Sequence, residues 1–258
     1  SHAALVARGW GKCCIVGCGE LQINMESKTI TIGDKTFKEG DLLSLNGTKG
    51  LVYSEKVAMI NATENPLFKQ FMQIVDKYRT MGVKTNADTH EDAQQALDFG
   101  AEGIGLFRIE HMFYGKNSEE PLAILRKMIL SGSTEERKKW LDELHVHIKK
   151  SVKGTMKVMD KKPVTFRLID PPLHEFVPHT EDKVALLAKE LCIDTEKLQE
   201  RIDGLEEVNP MMGLRGVRLG IIYPEITETQ FRALFEAEAE LRKEGMDPRL
   251  EIMVPLTV

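Results

Sequence analysis

The spacing of apolar residues in the first sixty positions predicts one short helix followed by a small β-sheet. His2–Gly9 is a helical run that ends at a glycine, and Lys12–Gly17 is a short apolar stretch typical of a buried strand. Alternating residues at 29–32 and 36–37 flank one turn, and apolar stretches on either side of Asn46-Gly47 flank another. We therefore expect β-hairpins in this part of the chain.

A single amphipathic helix is predicted next, and it ends at Gly82. Asparagine is a favoured N-cap, and proline at the first helical position has a suitable fixed φ, so Asn65-Pro66 marks the start of this helix. Apolar residues recur at helical spacing and form one broad stripe: Leu67, Phe68, Phe71, Ile74, Val75 and Tyr78. The stripe predicts a helix that packs on the domain that follows.

From Lys84 onward the pattern alternates between strands and helices. Strands are expected at 84–88, 103–110, 163–170, 213–222 and 251–256. Helices are expected at 89–99, 119–152, 180–191, 195–205 and 227–245, with capping boxes beginning at Ser133 and Thr227. This alternation predicts parallel βα units. A complete (β/α)8 barrel needs about 250 residues, so the chain is expected to hold the first half of a barrel and to be a fragment of a larger enzyme.

The composition of the chain argues against several classes of protein. Hydrophobic residues make up 42% and charged residues 29%, and the net charge is −5, with no basic run. Such a chain is not expected to bind nucleic acid, and no apolar stretch approaches the ~18 residues of a membrane span. The four cysteines lack the paired spacing of a zinc site and are expected to be reduced thiols of an intracellular protein: Cys13, Cys14, Cys18 and Cys192.

The histidine at the start of the first helix is a candidate phosphoryl acceptor. Free backbone N–H groups and the peptide dipoles favour an anion at that end of a helix, and a histidine there can act as a nucleophile towards phosphorus. Ser1 adds a neighbouring hydroxyl. A remnant of an expression tag and an ordinary surface histidine are the alternative interpretations of Ser1-His2.

Three arginines near predicted strand ends are candidate anion ligands. They are Arg108, Arg167 and Arg215, each close to glycine or proline turns. The planar guanidinium group binds carboxylate and phosphate oxygens in pairs and stays charged. A surface or interdomain salt bridge is the alternative for any one of them. Their shared position favours one anion site, because the chemistry of such barrels lies at the carboxyl ends of the strands.

Several segments resemble the phosphoenolpyruvate (PEP)-utilising enzymes. The residues from Ser1 to Gly17 are similar to the phosphohistidine segment of that family, and residues 86–89, 103–113 and 168–176 are similar to its PEP-binding barrel. The resemblance implies that His2 is the phosphate carrier of a mobile, swivelling domain. It also implies that Arg108 and Arg167 bind PEP or pyruvate, with Arg215 as a third contact.

Within this family, Pro171–Phe176 is similar to the pyruvate phosphate dikinases rather than to PEP synthase or enzyme I of the sugar phosphotransferase system. This implies a phosphotransferase that interconverts ATP, phosphate and pyruvate with AMP, diphosphate and PEP through a phosphohistidine. PEP synthase, or a non-catalytic phosphocarrier or regulatory module, is the alternative. One position departs from the family: Ile109 stands where threonine is usual, so no polar contact through a hydroxyl group is expected there, while Arg108 itself is unaffected.

The resemblance also implies a division of the chain. Residues 1–62 would be the closing part of the phosphohistidine carrier domain, 63–83 a linker helix with a hinge role, and 84–258 the first part of the barrel. The nucleotide domain would precede Ser1, and the Mg²⁺ ligands would lie beyond this chain, with none inside it. The parent enzyme is expected to be a homodimer located in the cytoplasm or an organelle.

Overall fold

The protein is described here by a computed structural model, which covers residues 2–10, 12–58, 65–115, 118–191 and 193–257. At His2, Arg8 and Gly9 only the backbone is described. The chain divides into two compact units, Ser1–Tyr78 and Arg79–Val258. In the described residues no helix is both long and apolar enough to cross a membrane.

The first unit begins with the predicted helix, α1 (His2–Gly9). The prediction of a strand at Lys12–Gly17 is wrong. These residues form neither helix nor strand, and none of them is buried. An apolar run becomes a strand only when a neighbour pairs with its backbone, and no described strand does so here. Instead, Sγ of Cys13 accepts a hydrogen bond from the Gly47 amide at 3.1 Å.

Two small antiparallel sheets follow, and they confirm the expected hairpins. In the first sheet the middle strand pairs with both neighbours, and the strand at 21–24 was not anticipated. The second sheet is a two-stranded hairpin across the turn at Gly47. The strands are β1 (Leu21–Asn24), β2 (Thr29–Ile32), β3 (Lys35–Lys38), β4 (Ser44–Asn46) and β5 (Leu51–Tyr53).

Helix α2 (Pro66–Tyr78) closes the first unit. Its start is the one predicted, because Oδ1 of Asn65 accepts a hydrogen bond from the Leu67 amide at 2.9 Å. The helix ends four residues before Gly82, and none of its residues is buried.

The second unit contains a four-stranded parallel sheet in chain order. Its strands are β6 (Lys84–Asn86), β7 (Gly103–Arg108), β8 (Pro163–Arg167) and β9 (Arg249–Met253). The predicted alternation of parallel strands and helices is therefore present, and the described strands form an open sheet. An ion pair between Lys84 and Glu251 joins the two outer strands across the glycines of β7. Since side chains stand roughly perpendicular to a sheet, this contact requires the sheet to be curved.

The described residues of the second unit also form seven α-helices. One expected helix, 119–152, is two helices separated by a bend at 130–133, and Oγ of Ser133 caps the second by accepting from the Glu136 amide at 3.1 Å. The helices are α3 (His90–Asp98), α4 (Glu119–Ile129), α5 (Thr134–Val158), α6 (Glu181–Leu191), α7 (Thr195–Asp203), α8 (Gly216–Ile222) and α9 (Pro224–Lys243).

Two further predictions are corrected here. The stretch 213–222 is not a strand but contains helix α8, whose buried residues, Gly216 and Leu219, lie on one face. A short apolar run does not by itself distinguish a strand from a helix. Gly216, the first residue of the helix, has a positive φ of 54°, which glycine adopts without a steric penalty. Helix α9 begins at Pro224, as proline at the first position favours, so Thr227 is not its cap.

The core of the second unit lies between the sheet and the helices. The rings of Phe107 and Phe166, on neighbouring strands, have centroids 4.9 Å apart. Long helices α5 and α9 pack against each other and supply further apolar side chains, including Leu144, Ile148, Leu234 and Ala237. This packing fixes the strand ends from which the polar side chains described next extend.

Candidate functional site

Two of the predicted arginines lie side by side at the carboxyl end of the parallel sheet. Arg108 and Arg167 are the last residues of β7 and β8, and the two are paired in the register of these strands. Their predecessors, Phe107 and Phe166, point into the core. Because side chains alternate along a strand, the arginines are directed away from that core.

Arg108 is held by Asp88, which follows strand β6 by two residues. Oδ1 of Asp88 accepts from Nε of Arg108 at 3.3 Å and from its backbone amide at 3.2 Å, while Oδ2 accepts from Nη2 at 3.0 Å. Nδ1 of His111 also lies 3.0 Å from Oδ2. One carboxylate therefore orients both a guanidinium group and an imidazole ring.

Arg167 and Arg215 share a second carboxylate. Oδ2 of Asp170 lies 3.3 Å from Nη1 of Arg167 and 2.9 Å from Nη2 of Arg215. Nη2 of Arg167 also donates to Oε1 of Glu110, a residue that is almost fully buried. Charged partners at low exposure make strong hydrogen bonds, so this network fixes both guanidinium groups.

Arg215 reaches the site differently from the prediction. It does not end a strand but directly precedes helix α8, with an extended backbone. The loop is attached to the site by backbone hydrogen bonds, because the Gly216 amide donates to the carbonyl of Asp170 at 3.2 Å and the Val217 amide donates to the carbonyl of Pro255 at 3.0 Å.

A buried glutamine on α9 supports the same region. Oε1 of Gln230 accepts from the amide of Ile169 at 2.8 Å, and its Nε2 donates to the carbonyl of Ile226 at 3.2 Å. Ile169 directly precedes Asp170, so the glutamine fixes the backbone that carries the shared carboxylate. Leaving a buried backbone amide without an acceptor lowers the stability of a protein by about 1–3 kcal/mol.

The charges of this group balance: three arginines face the three carboxylates Asp88, Glu110 and Asp170. Within the described part of the chain, Nε of Arg167 and Oε2 of Glu110 are buried without a hydrogen-bond partner. Buried polar atoms are usually satisfied, so these two atoms are points at which a ligand or water could complete the network.

Tyr114 borders the group. Its ring stacks on Phe176 and meets His111 edge-on. Burial, with smaller contributions from the charges of Glu175 and Glu110, raises the pKa of Tyr114 to about 12. The phenol therefore stays protonated at neutral pH and presents a hydrogen-bond donor rather than a charge.

His2 belongs to the other unit, as the first residue of α1, and its side chain lies outside the described part of the structure, as does Ser1. Ile109, at the position where the family usually has threonine, is 1% exposed and is part of the core. The structure therefore places the three arginines in one group and gives no geometry for the histidine.

The described residues do not fit a magnesium site. No three His, Cys, Asp or Glu side chains among them are grouped so as to hold a metal ion. The carboxylates beside the arginines are engaged with guanidinium groups. Glu251, the remaining carboxylate on the sheet, is bound to Lys84 and Thr165.

The arginine partners were not assigned from the sequence. Asp88, Glu110 and Asp170 each lie two or three residues beyond a strand end. That recurring position is a usable signal, since residues just beyond parallel strands converge at one edge of a sheet. The role of Gln230 has no comparable signal, because a glutamine within a helix is usually exposed.

Comparison with known proteins identifies the family. Residues 62–258 match the family model described as PEP-utilising enzyme, PEP-binding domain, and residues 1–50 match the model of the PEP-utilising enzyme mobile domain. The chain is 48% identical over 257 residues to pyruvate, phosphate dikinase of Clostridium symbiosum and 47% identical over 256 residues to that of Giardia intestinalis.

A chloroplastic pyruvate, phosphate dikinase of Arabidopsis thaliana is 47% identical over 258 residues. Each of these alignments covers 99% of this chain but only 26–29% of the relative. The chain thus spans less than a third of the length of the curated relatives it matches. On these matches and its two family models, the chain belongs to the PEP-utilising enzymes.

Proposed function

We propose that this chain supplies the phosphohistidine and the PEP/pyruvate pocket of a pyruvate, phosphate dikinase. The observation that carries the proposal is the convergence of Arg108, Arg167 and Arg215 at one end of a parallel sheet. A small ligand that carries both a carboxylate and a phosphoryl group needs several fixed N–H donors. The similarity to dikinases along the whole chain supports this assignment.

The proposed chemistry is a reversible phosphoryl transfer. A ring nitrogen of His2 attacks the phosphorus of PEP, the bond from phosphorus to the enol oxygen breaks, and a phosphorus–nitrogen bond forms. The electron pair of the broken bond stays on the enolate oxygen, and protonation at carbon then yields pyruvate. Held guanidinium groups stabilise the charge that develops on the enolate and phosphoryl oxygens.

In the complete reaction ATP and phosphate would phosphorylate His2, releasing AMP and diphosphate, and pyruvate would then accept the phosphoryl group. The nucleotide domain and the Mg²⁺ ligands are proposed to lie outside these residues, and the enzyme is proposed to be intracellular. The first unit is proposed to act as the mobile carrier and the second as part of a (β/α)8 barrel. The curvature of the four-stranded sheet, joined by Lys84 and Glu251, supports the barrel assignment.

The test is PEP-dependent phosphorylation of His2 in the full-length protein. Purified protein is incubated with PEP and Mg²⁺, and mass spectrometry locates the phosphoryl group while released pyruvate is measured. We expect label on His2 that is lost in His2→Asn and strongly reduced in Arg108→Met. Arg242→Met, which removes an exposed arginine paired with Glu238, is the matched control. Label on another residue, or full labelling in Arg108→Met, would contradict the proposal.

A further inference from the structure

Asp88 makes more contacts to Arg108 than a simple ion pair needs. Its two oxygens accept from the backbone amide, Nε and Nη2 of Arg108 at 3.0–3.3 Å. The carboxylate thus fixes both the end of strand β7 and the plane of the guanidinium group. The side chain of Asp88 is only 21% exposed, which shields these bonds from solvent.

This arrangement leaves one edge of the guanidinium group available. Asp88 occupies the edge formed by Nε and Nη2, and Nη1 of Arg108 has no hydrogen-bond partner within the described residues. A guanidinium group has five N–H donors in a fixed plane. Holding one edge therefore sets the direction in which the remaining donors point.

Asp88 is itself held in place. Its backbone amide donates to Oδ2 of Asp92 at 3.3 Å, and the preceding amide, that of Ala87, donates to the carbonyl of Leu106 at 3.2 Å. Nδ1 of His111 lies 3.0 Å from Oδ2 of Asp88, the oxygen that also accepts from Nη2 of Arg108. The carboxylate cannot rotate without breaking several of these contacts.

We propose that Asp88 is the positioning residue that aims Arg108 at its anionic ligand, with His111 as the second support of the Asp88 carboxylate. This inference rests on the proposed function, in which Arg108 binds PEP. In the absence of Asp88 the flexible arginine side chain would sample several rotamers, and binding would have to order it again. The loss would fall mainly on PEP binding, because the guanidinium group itself remains.

The chain offers a matched control for Asp88. Glu102 also binds an arginine through two bonds, at 2.8 and 2.7 Å to Nη1 and Nη2 of Arg79, and accepts from the Val83 amide. This pair lies at the amino end of β7, the end opposite to Arg108. Glu102→Gln therefore removes a comparable ion pair at the edge of the sheet that carries none of the three arginines.

The experiment compares full-length Asp88→Asn, Arg108→Met, the double variant and Glu102→Gln in the PEP-dependent formation of pyruvate, with AMP and diphosphate present to accept the phosphoryl group from His2 and allow turnover. For Asp88→Asn we expect KM for PEP to rise at least tenfold while kcat changes less than threefold. In the Arg108→Met background the same substitution should add less than twofold, since there is no guanidinium group left to position. Glu102→Gln should leave KM and kcat within twofold.

Two further variants separate positioning from folding. Asp88→Glu keeps the charge but moves the carboxylate, so KM should rise while the unfolding temperature stays near that of the parent. His111→Asn should raise KM by a smaller factor than Asp88→Asn. If Asp88→Asn resembles Glu102→Gln, or lowers kcat at constant KM in step with lost thermal stability, the positioning role is wrong. If Arg108→Met has no effect, the proposed PEP site itself is wrong.

Discussion

Nζ of Lys84 lies 2.8 Å from Oε2 and 3.0 Å from Oε1 of Glu251, although these residues stand on the first and last strands of a four-stranded sheet. Three strand spacings of about 4.8 Å would separate the same strands by about 14 Å in a flat sheet. A Cβ on Gly105, in the neighbouring strand β7, would lie 3.1 Å from Cβ of Lys84. Because Gly105 has no side chain, the Lys84 side chain can extend over β7 and reach Glu251 at the opposite edge of the curved sheet.

Replacing Glu251 by Gln is expected to make the free energy of unfolding less dependent on pH in the acid range. Hydrogen bonds from Lys84 and Thr165 lower the pKa of Glu251. A lowered pKa means that the charged form stabilises the fold above the ordinary pKa of glutamate, and that this stabilisation disappears as the pH falls through the lowered value.

Because Glu251 is nearly half exposed, Glu251→Gln should cost less than about 1 kcal/mol at pH 7. Urea unfolding between pH 7 and pH 3 measures the effect, and the difference from the parent should shrink towards the acid end. Glu228→Gln, at an exposed position of α9, serves as control. A deficit that grows on acidification would contradict the assigned direction.

Removing Arg215 is expected to weaken PEP binding. Hydrogen bonds to charged groups contribute about 1.5–3 kcal/mol, so Arg215→Met should raise KM for PEP by roughly 10- to 100-fold. Steady-state kinetics of the full-length enzyme provide the measurement, with Arg242→Met as the exposed control. Unchanged KM in Arg215→Met would remove this residue from the pocket.

Gln230→Leu is expected to destabilise the second unit. The change leaves the buried amide of Ile169 without its acceptor, and such a group costs about 1–3 kcal/mol. Urea unfolding of the purified protein tests this. Gln199→Leu is the control, since that glutamine is bonded to Asp203 on an exposed helix face and should change stability by less than about 0.5 kcal/mol. Equal effects of the two substitutions would show that the buried bond is unimportant.

Gly103→Ala is expected to lower the free energy of unfolding. A Cβ at this position would lie 2.8 Å from the carbonyl oxygen of Pro163 and 2.9 Å from its Cγ, and overpacking of this kind costs about 1–3 kcal/mol. Gly115→Ala is the control, because its Cβ would meet no described atom within 4 Å. Its free energy of unfolding should differ from that of the parent by less than about 0.5 kcal/mol. Calorimetric unfolding of both variants decides the point, and a neutral Gly103→Ala would contradict the close approach of β7 and β8.

The sequence was most informative where local signals and tertiary packing agree. Alternation and turn chemistry predicted the hairpin at 29–38, and Asn65-Pro66 predicted the start of α2. Apolar runs followed by arginine predicted that Arg108 and Arg167 lie near strand ends. The predicted strands ran to 110 and 170, whereas the observed strands end at the arginines themselves.

Predictions from the sequence failed where the structure of a segment depends on contacts with residues far away along the chain. Among the residues that the structure describes, no strand pairs with the run at 12–17, and the apolar residues after Gly216 form a helix in which Gly216 and Leu219 are buried. The bond from Gln230 to Ile169 joins positions 61 residues apart, so no local pattern could reveal it.

The pairing of Arg108, Arg167 and Arg215 with carboxylates has one more consequence. The group carries no surplus charge, so an anion bound by it would be selected through the directions of the N–H groups rather than through bulk attraction. Under the proposed function, the net charge of the bound ligand would then have to be balanced by groups outside these three arginine–carboxylate pairs.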